Sequence, residues 1–184
     1  IAATKMNVLY RNVDNPIEVS VPGVAPENLI VSGPGISGKS GNYVADVTKV
    51  EGKEVTISVS VKEKDGKTRK AGQKIYRIKG LPQAVGTVYK KKEGMISTSL
   101  LSKGIVEAEY QDFPFDLPLS VTAFEIKLEG KPAIQVKGNK VPNDLRDQIE
   151  RLRPGSSVSI RKIKAQTPQG ARIENISNVV LDVQ

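Results

Sequence analysis

The sequence predicts a mainly β protein of two domains: a small sandwich of immunoglobulin (Ig) type, then an α+β domain that is mostly strand with one clear helix. Three observations predict it. Residues 54–61 alternate strictly, with Val55, Ile57, Val59 and Val61 on one face and Thr56, Ser58 and Ser60 on the other, which is the period of a half-buried strand. Shorter runs of the same kind recur through the first half, separated by turn signals. A helical period occurs clearly once, where Leu145, Ile149 and Leu152 fall at i, i+4 and i+7 and make one apolar stripe.

In chain order, strands are expected at 7–10, 17–21, 29–32, 43–47, 54–61 and 74–78. Asn15-Pro16, Pro22-Gly23, Gly33-Pro34-Gly35, Glu51-Gly52 and Asp65-Gly66 supply the turns between them. There is no cysteine and no tryptophan, so the sandwich lacks the disulfide and indole pin of antibody domains and must pack on valine and isoleucine. The alternating pattern breaks at Gly80-Leu81-Pro82, and Pro82 blocks its continuation, which sets domains at 1–81 and 82–184. In the second domain, 100–103 reads as a short helical turn. Residues 113–126 hold all three phenylalanines. Pro114 and Pro118 stiffen a turn there by fixing φ and removing two amide donors, and a strand follows with Leu119, Val121, Ala123 and Glu125 on one face and Thr122, Phe124 and Ile126 on the other. That strand is expected to be covered on both faces, with Phe113 and Phe115 as core plugs. The helix is expected over about 142–152: Asn143 as N-cap, Asp144 and Asp147 in the first turns, Arg151 and Arg153 at the end, and Pro154-Gly155 as the stop. Strands at 157–165 and 173–183, joined around 167–170, close the chain.

Composition narrows the function. The net charge of +8 admits an acidic partner, but the charge is spread: residues 1–82 hold 13 basic and 8 acidic side chains, residues 83–184 hold 15 and 12. The densest run, Lys90-Lys91-Lys92, has no interleaved aromatic for base stacking, so it reads as a solvated strand end and nucleic acid is not expected as a partner. No apolar run approaches the ~20 residues that span a bilayer, so a soluble piece is expected. The opening Ile1-Ala2-Ala3, with no initiator methionine, suits a piece cut from something longer.

Chemistry is sparse. Residues 33–40, Gly-Pro-Gly-Ile-Ser-Gly-Lys-Ser, satisfy the phosphate-loop pattern, and Val179-Val180-Leu181-Asp182 could pass for its acidic companion strand. Such a loop works only when its last residues open a helix, and Tyr43-Val44-Ala45-Asp46-Val47 alternates as a strand, so a glycine-rich hairpin is expected instead. The chain has no histidine, which removes the usual general base and the commonest metal ligand. Ser37 with Lys39, and Ser102 with Lys103, lie in glycine-flanked loops unsuited to a buried catalytic lysine. Glu107 and Glu109 share one strand face and read as a solvated pair. Asn175-Ile176-Ser177 is a formal glycosylation sequon of no weight here. No enzymatic activity, cofactor, metal or small-molecule substrate is expected.

One set of motifs is specific in its order. Phe113-Pro114-Phe115-Asp116 followed by Val121-Thr122-Ala123-Phe124 resembles the turn and strand of the last domain of the GldM/PorM family, the gliding-motility and type IX secretion core protein. Gly94-Met95-Ile96-Ser97 before Leu100-Leu101 and Gly104-Ile105, the helix with Pro154-Gly155, and Ile163-Lys164-Ala165 before Pro168-Gln169-Gly170-Ala171-Arg172 extend the resemblance. Asn7-Val8-Leu9-Tyr10-Arg11 with Val13-Asp14-Asn15-Pro16-Ile17 resembles the start of the preceding Ig-like domain, with Asn12, in the left-handed region, where glycine is common. The resemblance implies a non-enzymatic periplasmic shaft, anchored in the inner membrane by a transmembrane helix absent from this sequence. It further implies a homodimer, an inner-membrane motor partner driven by the proton-motive force, and outer-membrane-associated lipoprotein ring components as the distal partner. Short proline-containing joints such as Leu81-Pro82 would keep such a shaft stiff. The ring contact is expected on the outer side of the helix, at Arg146, Glu150 and Arg153, with Phe113, Phe115, Asp116 and Phe124 as a structural motif. The rival reading is an extracellular Ig-like adhesion or carbohydrate-binding module, disfavoured by 4% aromatic content and no tryptophan.

Overall fold

The computed structural model describes residues 7–184, and the Ile1-Ala2-Ala3 opening lies outside them. The chain divides into two compact units, Ile1–Leu81 and Pro82–Gln184.

The first unit contains β1 (Val8–Tyr10), β2 (Asn15–Glu18), a 3-10 turn (Pro26–Asn28), β3 (Leu29–Ser32), β4 (Ile36–Lys39), β5 (Asn42–Ala45), β6 (Glu54–Lys62) and β7 (Thr68–Lys79). They form a four-stranded sheet, β1-β7-β6-β3, and a three-stranded sheet, β2-β5-β4. One core takes side chains from both: Ile17, Tyr43 and Ala45 from the smaller sheet, Leu9, Val55, Ile57, Val59, Tyr76 and Ile78 from the larger. The β6 alternation appears as read, with its four apolar residues buried and Thr56 exposed. β6 lies between β3 and β7, so it offers no free edge.

Local polar bonds shape the loops. The Arg11 guanidinium donates to the carbonyls of Val47, Thr48 and Gly52, clamping the β5–β6 connection. Asn12 has φ 62, a left-handed conformation that asparagine tolerates. The stretch that satisfies the phosphate-loop pattern is strand β4, turned back onto β5 through Ser40 (φ 54) and Gly41 (φ 87). Where a nucleotide loop needs a helix N-terminus, this chain has a strand.

The second unit contains β8 (Val85–Val88), β9 (Glu93–Ile96), α1 (Thr98–Leu101), β10 (Val106–Glu109), β11 (Ser120–Leu128), β12 (Ile134–Lys137), α2 (Asn143–Glu150), β13 (Ser157–Gln166), β14 (Arg172–Ile173) and β15 (Val179–Val183). Its main sheet runs β12-β11-β13-β15-β9, with β14 also paired to β13, and β10 and β8 form a separate ladder. Phe124, Ile126, Leu128, Val158, Ile160, Ile163, Val179 and Leu181 fill the buried face, together with Leu101 of α1 and Leu145 and Ile149 of α2.

Three sequence expectations need correction here. The strand read over 173–183 is two strands, because the chain between them leaves β13 to bond with Ala84: the Ala84 amide donates to Asn175 O and the Ser177 amide to Ala84 O. The helix starts at Asn143, with Pro142 (φ −64, ψ 151) as the residue before it and no side-chain cap. It ends at Glu150, so Arg151, Leu152 and Arg153 lie past it, and Leu152 is half-buried. Nor is β11 evenly covered on both faces: on one, Thr122 is exposed while Phe124, Ile126 and Leu128 are buried, and on the other, Glu125 is buried while Val121 and Ala123 are half-buried and Lys127 is exposed.

Candidate functional site

The charged side chains of the second unit form two organised groups. The first is on the open face of β11. Glu125 is 4% exposed; Lys162 Nζ donates to it at 3.0 Å, Gln135 Nε2 at 2.6 Å, and Arg161 Nε closes the group. The bond from Lys162, opposed by burial and reinforced by Arg161, holds the Glu125 carboxyl below its ordinary pKa. Two consecutive basic residues reach one carboxylate because β13 bulges. Between Ala123↔Lys164 and Glu125↔Arg161 two steps on β11 match three on β13, and Lys162 takes φ 48. Sequence reading missed this group. A signal existed: the buried positions of β13 run Val158, Ile160, then Ile163, Ala165, a slip of one residue in the period.

The second group surrounds Lys90. The two-residue turn Tyr89-Lys90 joins Val88 to Lys91 with hydrogen bonds in both directions, and both turn residues have positive φ, 49 and 61. Lys90 Nζ lies 2.9 Å from Glu109 and 3.6 Å from Glu107, which raises its pKa, chiefly through the bond to Glu109. Lys91 Nζ donates to Met95 O. The lysine run is exposed, as read, but two of its three ammonium groups have protein partners, and the Glu107/Glu109 pair shares a lysine.

The aromatic turn differs from its expectation. Phe113 and Phe115 are half-buried and form a tilted chain with Tyr110, with centroids 5.1 and 5.3 Å apart. They are not core plugs; that role falls to Phe124, which is completely buried. Two prolines and the left-handed Asp112 (φ 54) keep the turn from sinking into the core, and Asp116 is exposed. On α2, Arg146 is half-buried, with Nε enclosed and without a hydrogen-bond partner among the described residues. The Glu150 carboxylate accepts the Ser102 hydroxyl at 3.0 Å. Arg153 is exposed beyond the helical residues. Arg146, Glu150 and Arg153 therefore do not form one continuous outward row.

Among the described residues, no group of three or more His, Cys, Asp or Glu could hold a metal ion, and no helix is long and apolar enough to cross a membrane. The side-chain groups present fix strands and turns, which is the equipment of a structural module. The chain belongs to the GldM family: residues 1–79 match the GldM third domain and residues 82–184 the GldM C-terminal domain. That is a gliding-motility and type IX secretion family of structural components, not a known enzyme family. Its members are anchored in a membrane and have a periplasmic part.

Three solved structures share a slight likeness with the chain. The fibronectin(III)-like modules of Clostridium thermocellum CbhA are 11% identical, with 96% of this chain and 87% of that one covered and a TM-score of 0.31. The D00-D0 domain of Intimin is 10% identical, with 96% and 95% covered and a TM-score of 0.28. Bacteroides ovatus SGBP-B, solved with a mixed-linkage heptasaccharide, is 8% identical, with 97% and 43% covered and a TM-score of 0.20. Likenesses this slight say nothing about function. No curated protein matches the chain.

Proposed function

We propose that this chain is part of a periplasmic shaft linking a proton-motive-force-driven motor in the inner membrane to a lipoprotein ring associated with the outer membrane. The observation that carries this reading is the succession of two GldM domains across the chain, the third at 1–79 and the C-terminal one at 82–184. Two β units without cysteine, each held by its own buried core, suit a part that transmits force rather than one that turns over a substrate. The shaft works as a homodimer, and C2 symmetry pairs like surfaces. Ring docking falls to the exposed side of α2 and the residues after it, with Glu150 and Arg153 outermost and Arg146 at the margin.

The test uses the full-length protein in its own cells. Arg153→Glu should leave folding intact and lower co-purification of the ring lipoproteins, because a reversed rim charge weakens and slows association. Wild-type recovery of the ring by a folded Arg153→Glu protein would remove this face from the interface. Light scattering on this chain should give twice 19.9 kDa; the monomer mass at high micromolar concentration would overturn pairing through these two units.

A further inference from the structure

Strand β10 is paired along one edge and free along most of the other. One edge runs antiparallel to β8, from Val106↔Val88 to Glu109↔Val85. On the opposite edge the Val106 amide donates to Asn139 O at 2.7 Å, and the Val141 amide to Gly104 O at 3.0 Å. The chain following β12 therefore seals only the start of that edge. Backbone groups alternate in direction along a strand, so with Val106 turned toward Asn139, Ala108 turns the same way, and among the described residues its amide has no backbone acceptor on that side. On the far side, β12 pairs with β11 only from Ala123 to Ile126. After the Gly138 amide donates to Thr122 O, β12 no longer runs beside β11; Ser120 and Val121 pair with β13 on their other edge, and among the described residues no strand takes the edge that β12 leaves.

Beside β10 and the start of β11 lies a groove of about 590 Å³, with Asn139 in its lining together with Glu107, Glu109, Tyr110 and Asp116. Its walls carry three carboxylates and one ammonium, that of Lys90, so it is acidic in a chain of net charge +8. Lys90 reaches Glu107 and Glu109 from a turn in which two bulky residues are left-handed, a strained conformation. Tyr110 Oη is enclosed and has no hydrogen-bond partner among the described residues. Unpaired strand edges ask for extended main chain, and alternate acidic residues ask for alternate basic side chains. Glu107 and Glu109, two residues apart on one face, match that repeat of roughly 7 Å.

We propose that this groove binds an extended, basic segment of a partner protein, which adds as a strand to the free edge of β10 and sets lysine or arginine side chains against Glu107 and Glu109. Main-chain bonds to the Ala108 edge supply affinity and the carboxylates supply sequence preference, as in other strand-addition sites. The carboxylates repel phosphate, which disfavours nucleic acid and anionic lipid. The inference does not depend on docking at α2.

The test is amide NMR on the whole chain titrated with two capped pentapeptides, one alternating valine and lysine, the other valine and glutamate. The lysine peptide should shift the resonances of Ala108, Tyr110 and residues 117–121 saturably and slow exchange of the Ala108 amide, and the glutamate peptide should not. Glu107→Gln with Glu109→Gln removes exposed ion pairs that contribute little to folding, and should weaken the lysine peptide about tenfold. Equal response to both peptides, shifts confined to other strands, or silence at millimolar peptide would overturn the proposal. So would an Ala108 amide already protected in the free protein and released on dilution, which would assign the groove to a second copy of the chain.

Discussion

Lys162 lies 3.0 Å from Glu125 across the β11–β13 ladder, and it does so from a left-handed backbone at φ 48. Without that bulge, a strand carrying Arg161 inward-to-outward in strict alternation would send Lys162 to the core face. The extra residue keeps Ile160 and Ile163 both buried while Arg161 and Lys162 flank one carboxylate. A backbone irregularity and a charge group are thus one feature.

The first prediction follows from its electrostatics. The folded-state pKa of Glu125 is below its ordinary value of 4.5, so its charge stabilises the fold above that value, and the contribution is lost as pH falls through the lower folded value. Glu125→Gln should be less stable than wild type at pH 7, and the gap should be narrower at pH 3. Urea unfolding at the two pH values checks this; a gap independent of pH would show that the carboxylate charge is not its source.

The phenylalanines should separate by burial. Phe124 is completely buried, and Phe124→Ala should cost about 3–5 kcal/mol. Phe113 is half-buried and packs at a tilt against Tyr110 and Phe115, so Phe113→Ala should cost about 1–2 kcal/mol. Denaturant midpoints at constant m-value test the order; equal losses would mean that the aromatic turn is as much core as Phe124.

What the sequence made legible follows from period and punctuation. The alternation of Val55 to Val61 fixes which side of β6 is buried, and the Leu145–Ile149 spacing fixes the buried face of α2. Pairing partners were not legible: β9 lies parallel to β15, more than eighty residues away, and no local pattern specifies that. The helix start was misjudged because Pro142, with φ fixed near −64, already serves as the entry residue, leaving Asn143 inside. Phe113 and Phe115 were misjudged because scarcity of aromatics predicts burial, whereas two flanking prolines and a left-handed Asp112 hold the turn at the surface. The groove beside β10 was illegible, since a free strand edge is defined by what fails to pair with it.

Residues 33–40 give a third prediction. Lys39 is exposed at the end of β4, and its neighbours Ser40 and Gly41 make a hairpin turn instead of a helix start. Calorimetry with magnesium ATP should show no binding, and Lys39→Ala should change stability by less than about 0.5 kcal/mol. Micromolar binding that Lys39→Ala abolishes would contradict the strand geometry.

The last prediction concerns Asn15, which is 1% exposed and does the work of a missing ladder between β1 and β2. Its Oδ1 accepts the Tyr10 amide at 2.7 Å, and its Nδ2 faces the carbonyls of Tyr10, Val13 and Ala45 at 2.9, 3.0 and 2.9 Å. Asn15→Ala would strand one buried donor and several acceptors, at a cost of about 2–3 kcal/mol. Asn15→Asp keeps the bond from Tyr10 but points a second oxygen at three carbonyls. Burial among acceptors raises the folded pKa of that new carboxyl, so its protonated form is the one tolerated and stability falls as pH rises through the carboxylate range. Asn15→Asp should therefore approach wild type at pH 3 and fall furthest below it at pH 7, the same pH direction as the Glu125→Gln gap though its cause is a buried charge gained and not an ion pair lost. Thermal unfolding of both variants across that range decides it; an Asn15→Asp deficit that shrinks with rising pH would mean that the amide nitrogen is not the group that ties the two strands together.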